Sequence, residues 1–68
     1  SFSLPREERA LLEVFDTSGR RIATLVDGVA PAGGHVARWD AAGAGEGVYF
    51  CRLIAGGESV IAKLARIH

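Results

Sequence analysis

The sequence predicts a small all-β domain, an antiparallel β-sandwich of six to seven short strands. Two units carry the prediction. Val14-Phe15-Asp16-Thr17-Ser18-Gly19-Arg20-Arg21-Ile22 reads as strand, tight turn, strand. Trp39-Asp40 closes a later strand-like run, a glycine-rich turn follows, and Gly47 opens the aromatic run Val48-Tyr49-Phe50-Cys51-Arg52-Leu53. Turn signals recur at regular spacing between such runs, and no alternating helical pattern supports a βαβ unit.

Each element has a local reason. Phe2 and Leu4 alternate with polar neighbours, and Pro5 lacks an N–H, so the first strand is a short edge strand that ends there. Arg6-Glu7-Glu8-Arg9 is a solvated turn. Ala10 to Phe15 is the second strand, with Ala10, Leu12 and Val14 inward and Leu11, Glu13 and Phe15 outward. A helix over Glu7 to Phe15 is the rival, and Asp16-Thr17-Ser18-Gly19 stops it at once. Asp16 accepts hydrogen bonds from the N–H groups that follow it. Gly19 supplies positive φ, as a three-residue hairpin loop with a bulge requires. Ile22 to Val26 is the third strand, closed by Asp27-Gly28.

Val29 to Gly34 then crosses to the fourth strand, His35 to Trp39, whose residues His35, Ala37 and Trp39 share a face. Gly43, Gly45 and Gly47 make a flexible turn. Val48 to Leu53 is the fifth strand, with Tyr49, Cys51 and Leu53 on one face. Gly56-Gly57 is a two-residue hairpin signal. Ser59 to Ile67 is the last strand. Its faces are not separable by pattern, because Val60, Ala62 and Leu64 oppose Ile61, Lys63, Ala65 and Ile67, and both sets are apolar.

With 68 residues the chain is one domain, 1–68. A chain this short buries only about 60% of the surface its unfolded form exposes, so its core is one layer of side chains between two thin sheets. Hydrophobic residues are 49% and charged residues 24%, an ordinary globular balance rather than that of a disordered tail. Lys plus Arg equals Asp plus Glu, eight each. With no basic excess there is no electrostatic footprint for nucleic acid, and no polybasic run for a membrane surface. No apolar stretch approaches the roughly 20 residues a membrane-spanning helix needs. A start at Ser1 rather than Met is expected of a piece excised from a longer protein. Cys51 is alone, so no internal disulfide staples the domain.

The candidates for chemistry each have a plainer reading. A thiol set of Cys51, His35 and Asp40 would need an exposed, electropositive cysteine, whereas Cys51 lies between Tyr49 and Leu53 and is expected to be a packed core thiol. His35 has only His68 as a histidine partner and no zinc-type spacing, which favours a structural imidazole. Asp16, Asp27 and Asp40 lack calcium-loop spacing and read as turn-capping carboxylates. Gly43-Ala44-Gly45-Glu46-Gly47 is followed by a strand, whereas a phosphate loop needs a helix. Phe15 and Phe50 are expected to face outward and offer the best contact patch, while Trp39 is expected in the core. On that basis Trp39→Ala is expected to cost about 3–5 kcal/mol.

Leu4-Pro5, Val14 to Arg20, Ala32-Gly33-Gly34-His35, Trp39-Asp40-Ala41, Gly47 to Leu53 and Lys63-Leu64, in that order, carry a resemblance over nearly the whole chain. The set resembles the carboxy-terminal sorting domain of substrates of the bacterial type IX secretion system, and shares its pattern with the immunoglobulin-like domain of the flagellar hook-capping protein. The resemblance implies an immunoglobulin-like sandwich. It makes Asp16 to Arg20 a strand-connecting turn, Trp39 and Tyr49 core aromatics, Gly47 the opening of the aromatic strand, and Lys63 a basic position near the end of the last strand. The short Asp40-to-Gly47 connection favours the sorting branch, since the hook-capping branch usually carries a longer insertion there. Cys51 stands where the family usually has an aromatic or aliphatic residue, and Arg66 interrupts the apolar end of the last strand.

The expected function is therefore non-catalytic: a folded tail recognised by a bacterial secretion system, exported through the periplasm to the cell surface or medium. The alternative is a structural module that packs against neighbouring subunits. Either way the partner is a protein, with no nucleic acid, membrane insertion, small-molecule substrate, cofactor or metal expected. The structural residues are Asp16, Gly19, Trp39, Gly47, Tyr49 and Leu53; the recognition candidates are Phe15, Phe50, Arg52, Lys63 and Arg66.

Overall fold

A computed structural model describes residues 2–39 and 45–66 of the chain. It is all-β, with strands β1 (Phe2–Leu4), β2 (Glu8–Phe15), β3 (Arg21–Ala30), β4 (Gly33–His35), β5 (Gly47–Ala55) and β6 (Glu58–Arg66). A four-stranded antiparallel sheet has the order β3-β2-β5-β6, and a two-stranded sheet pairs β1 with β4. The smaller sheet packs on one face of the larger. The expected sandwich is present, with six strands among the described residues.

The core forms where the smaller sheet lies on the larger one. Leu4, Ala10 and Ala30 are buried there, with Phe2, Val26, Leu53 and Ala55 packed around them. Ala10, Leu12 and Val14 all face inward, as the period of two predicts, and Val14 is fully buried. Register in the β5–β6 ladder sets the faces of β6, pairing Val60 with Leu53, Ala62 with Cys51 and Leu64 with Tyr49. Val60, Ala62 and Leu64 therefore share the inner face with the core.

The turns follow their residue chemistry. Asp16 N–H donates to Arg20 O at 3.0 Å and Gly19 N–H to Asp16 O at 3.1 Å, which leaves Thr17, Ser18 and Gly19 as the three connecting residues. Gly19 has φ of +86°, the left-handed position that completes the bulge. Asp16 Oδ1 accepts from Ser18 N, Ser18 Oγ and Arg20 N at 2.9, 2.6 and 3.0 Å. At the other end, Ala55 pairs with Glu58 across Gly56 and Gly57, whose φ values of +59° and +79° are those of a type I′ hairpin. Gly57→Val puts a branched side chain in the left-handed region and is expected to cost about 1–2 kcal/mol. Urea denaturation of that variant checks it; a midpoint equal to that of the parent would contradict the turn.

Several boundaries differ from the sequence expectation. The solvated turn at Arg6 to Arg9 is shorter, because Glu8 and Arg9 already pair with Ala30 and Val29. Asp27-Gly28 does not close the third strand. Gly28 takes φ of +154°, open to glycine, and stays in the ladder opposite Ala10, so β3 runs on to Ala30. The fourth strand is Gly33–His35 rather than His35 to Trp39, because Gly33 and Gly34 pair with Leu4 and Ser3. The expected alternation survives without a ladder: His35, Ala37 and Trp39 are half-buried, and Val36 and Arg38 are exposed. The fifth strand reaches Ala55. Asp40, Ala41, Gly43 and the other residues of the 40–44 turn lie outside the described residues, as do Ile67, His68 and the Arg66 side chain.

Candidate protein interface

The face of the large sheet turned away from β1 and β4 carries a platform anchored by Glu13. Glu13 lies in β2 on the expected outward side, yet it is 3% exposed. A carboxylate so buried needs partners. Arg52 lies opposite it on β5 and donates from Nη2 to Oε1 at 2.9 Å. Arg21, at the start of β3, donates from Nη1 to Oε2 at 3.1 Å. Hydrogen bonds from Arg52 first, then from Arg21, hold the Glu13 carboxyl below the usual carboxylate range. One acid thus fixes a guanidinium on each side of it.

Fixing Arg52 also builds the contact surface. Its guanidinium carbon stands 4.9 Å from the centre of the Phe15 ring, within cation–π range. Phe15 lies directly opposite Phe50 across β2 and β5. Ile61 and Lys63 follow on β6, opposite Arg52 and Phe50. Phe15, Phe50, Arg52 and Ile61 line an open depression of about 500 Å³ that ends at the Asp16–Gly19 hairpin. Of the recognition candidates, Phe15, Phe50 and Arg52 are together, Lys63 adjoins them at the exposed edge, and the Arg66 side chain lies outside the described residues.

Glu13, Arg21 and Ile61 escaped the sequence reading. The available signal for Glu13 was an acid set between the apolar pairs Leu11-Leu12 and Val14-Phe15, with an arginine in each of two flanking strands.

The inner face is less closed than expected. Trp39 and Tyr49 meet edge to face, with centroids 4.9 Å apart and planes at 69°. Tyr49 is buried and donates from its hydroxyl to Gly45 O at 2.6 Å. Trp39 is only half-buried, so it roofs the core margin rather than filling the core. Cys51 is half-buried and not a fully packed thiol. The reason is shared: β1 and β4 cover one end of the sheet, and Trp39 the other. Between them Phe2, Trp39, Cys51, Leu53, Val60 and Leu64 line an apolar groove of about 330 Å³. His35 stacks on Phe2 with centroids 5.1 Å apart, and its Nε2 lies 2.7 Å from Pro31 O, a structural placement. Among the described residues no three of His, Cys, Asp and Glu gather as a metal site would require.

The two anchored carboxylates make stability depend on pH. Asp16 is held low by the Ser18 hydroxyl first and the Arg20 N–H next. A carboxyl whose folded pKa lies below its unfolded value, about 4, gives stability that is complete above that value and lost as pH falls through the folded one. Stability is therefore expected to be level above about pH 5 and to fall below about pH 4. Urea midpoints across this range test it: E13Q and D16N together should flatten the acid limb, and an unchanged limb would contradict the assignment.

No family model matches the chain, and no curated protein and no solved structure matches it.

Proposed function

We propose that this chain is a non-catalytic export and sorting module, read as a folded surface by the translocon of a type IX-like secretion system. The observation that supports the reading is the platform of Phe15, Phe50, Arg52 and Ile61. It combines aromatic area, a fixed guanidinium and an apolar margin on a sheet face left free by the second layer. Aromatic and arginine side chains are the residues that most often dominate protein interfaces. Glu13 keeps Arg52 in place before any partner arrives, so little ordering cost remains for binding.

The test fuses residues 1–68 to a periplasmic reporter in a host that has the secretion system. Surface delivery is the expected result, and F15A/F50A should lower it about tenfold, the loss of one strong anchor. Retention of the parent fusion in the periplasm overturns the sorting role. A subunit-packing module like the hook-capping domain is the second reading, favoured by the apolar groove that β1 and β4 leave open. It predicts a retained reporter and a stable complex with neighbouring subunits.

A further inference from the structure

We propose that a second copy of this chain pairs with β6, edge to edge and antiparallel, in the register that sets Ala62 opposite Ala62. The inference goes beyond the sorting role and uses a different part of the molecule.

The two edges of the large sheet are not equivalent. β3 shifts register twice against β2 and carries Gly28 at positive φ, devices that bend an edge away from foreign strands. β6 has none of these. It pairs with β5 over nine residues without a shift and contains no proline or glycine. Val60 and Ile61 on it are 62% and 65% exposed. The covering layer reaches β6 on its inner face, where Phe2 and Trp39 line a groove with Val60 and Leu64, and among the described residues no strand pairs with its outer edge. Among the described residues β6 is an edge with an unbroken ladder, no strand across it and Lys63 as its one charge away from the ends, and such an edge is a template for another strand.

Residue order selects the occupant and the register. A two-fold pairing that keeps like faces together must centre on one residue of β6, because alternate residues point to opposite faces. Centring on Ala62 pairs all of Glu58 to Arg66. The strand begins with an acid and ends with a base, so Glu58 of each copy meets the register position of Arg66 in the other. On the inner face Val60 meets Leu64 of the second copy; on the outer face Ile61 meets its Lys63. Centring on Lys63 would set two ammonium groups opposite each other, which is unfavourable. Centring on Ile61 pairs only Glu58 to Leu64 and sets Glu58 against Leu64. The Ala62 register also joins the two apolar grooves across the axis, since Val60 and Leu64 line both. The product is an eight-stranded sheet, twice the order given for one copy.

Sedimentation velocity of the purified chain over a concentration series tests this. The expected mass rises with concentration from 7.2 kDa toward twice that value. Ala62→Lys and Ala62→Glu, checked for folding by circular dichroism, should each stay monomeric, because each sets like charges on the axis. An equimolar mixture should recover the dimer. If either variant fails to fold, Glu58→Arg replaces it and is expected to weaken association about tenfold, equal to a loss near 1.4 kcal/mol. A parent chain that stays monomeric throughout, an Ala62→Lys chain that associates like the parent, or a mixture that does not recover the dimer overturns the proposal. The assay needs no translocon, so it separates this inference from the sorting reading.

Discussion

Tyr49→Ala is expected to cost about 3–4 kcal/mol, enough to unfold a domain whose single small core supplies little more. Three losses combine. The buried ring leaves a cavity between β5 and Trp39. The edge-to-face contact with Trp39 goes, at about 0.5–1.5 kcal/mol. The hydroxyl no longer ties Gly45 to the strand. Tyr49→Phe isolates the last of these and is expected to cost about 1 kcal/mol. Trp39→Ala, which the sequence set at the value for a buried aromatic, is expected to cost about 2 kcal/mol because the indole is only half-buried and borders an open groove. Urea denaturation of the three variants ranks them. A larger loss for Trp39 than for Tyr49 would mean that the indole, and not the phenol, is the central aromatic.

What the sequence disclosed depends on how far apart the interacting residues lie. The Asp16–Gly19 hairpin was legible in detail because its donors, acceptor and glycine fall within five residues. The inward set Ala10, Leu12 and Val14 was legible because alternation is local too. Glu13 was not, since its burial comes from Arg21 and Arg52, eight and 39 residues away. Gly33–His35 was misplaced for the same reason: a strand of two glycines and a histidine has weak propensity, and only pairing with β1 makes it one. Asp27-Gly28 carries a turn signature, yet the ladder to Leu11 and Ala10 overrides it. Of the platform, the outward direction of Phe15 and Phe50 was readable from each strand alone. Their direct opposition was not, and Ile61 stayed hidden because both faces of β6 are apolar.

Val14→Asp is expected to abolish folding, with a loss of about 4 kcal/mol or more, while the adjacent acid at position 13 is native. The two positions differ by one residue on the same strand and face opposite sides of the sheet. Val14 is fully buried between Ala23 on β3 and Cys51 on β5, neither of which can neutralise a carboxylate. Glu13 is nearly as buried, but two guanidiniums close on it. Burial alone therefore does not decide whether β2 tolerates a charge; a cation within reach does. Val14→Ala removes two methyl groups and is expected to cost about 2 kcal/mol, leaving a folded but weakened domain. Circular dichroism and urea midpoints distinguish these outcomes. A folded Val14→Asp protein with a near-parental midpoint would show that water reaches the middle of β2, and that the apolar groove extends through the core layer.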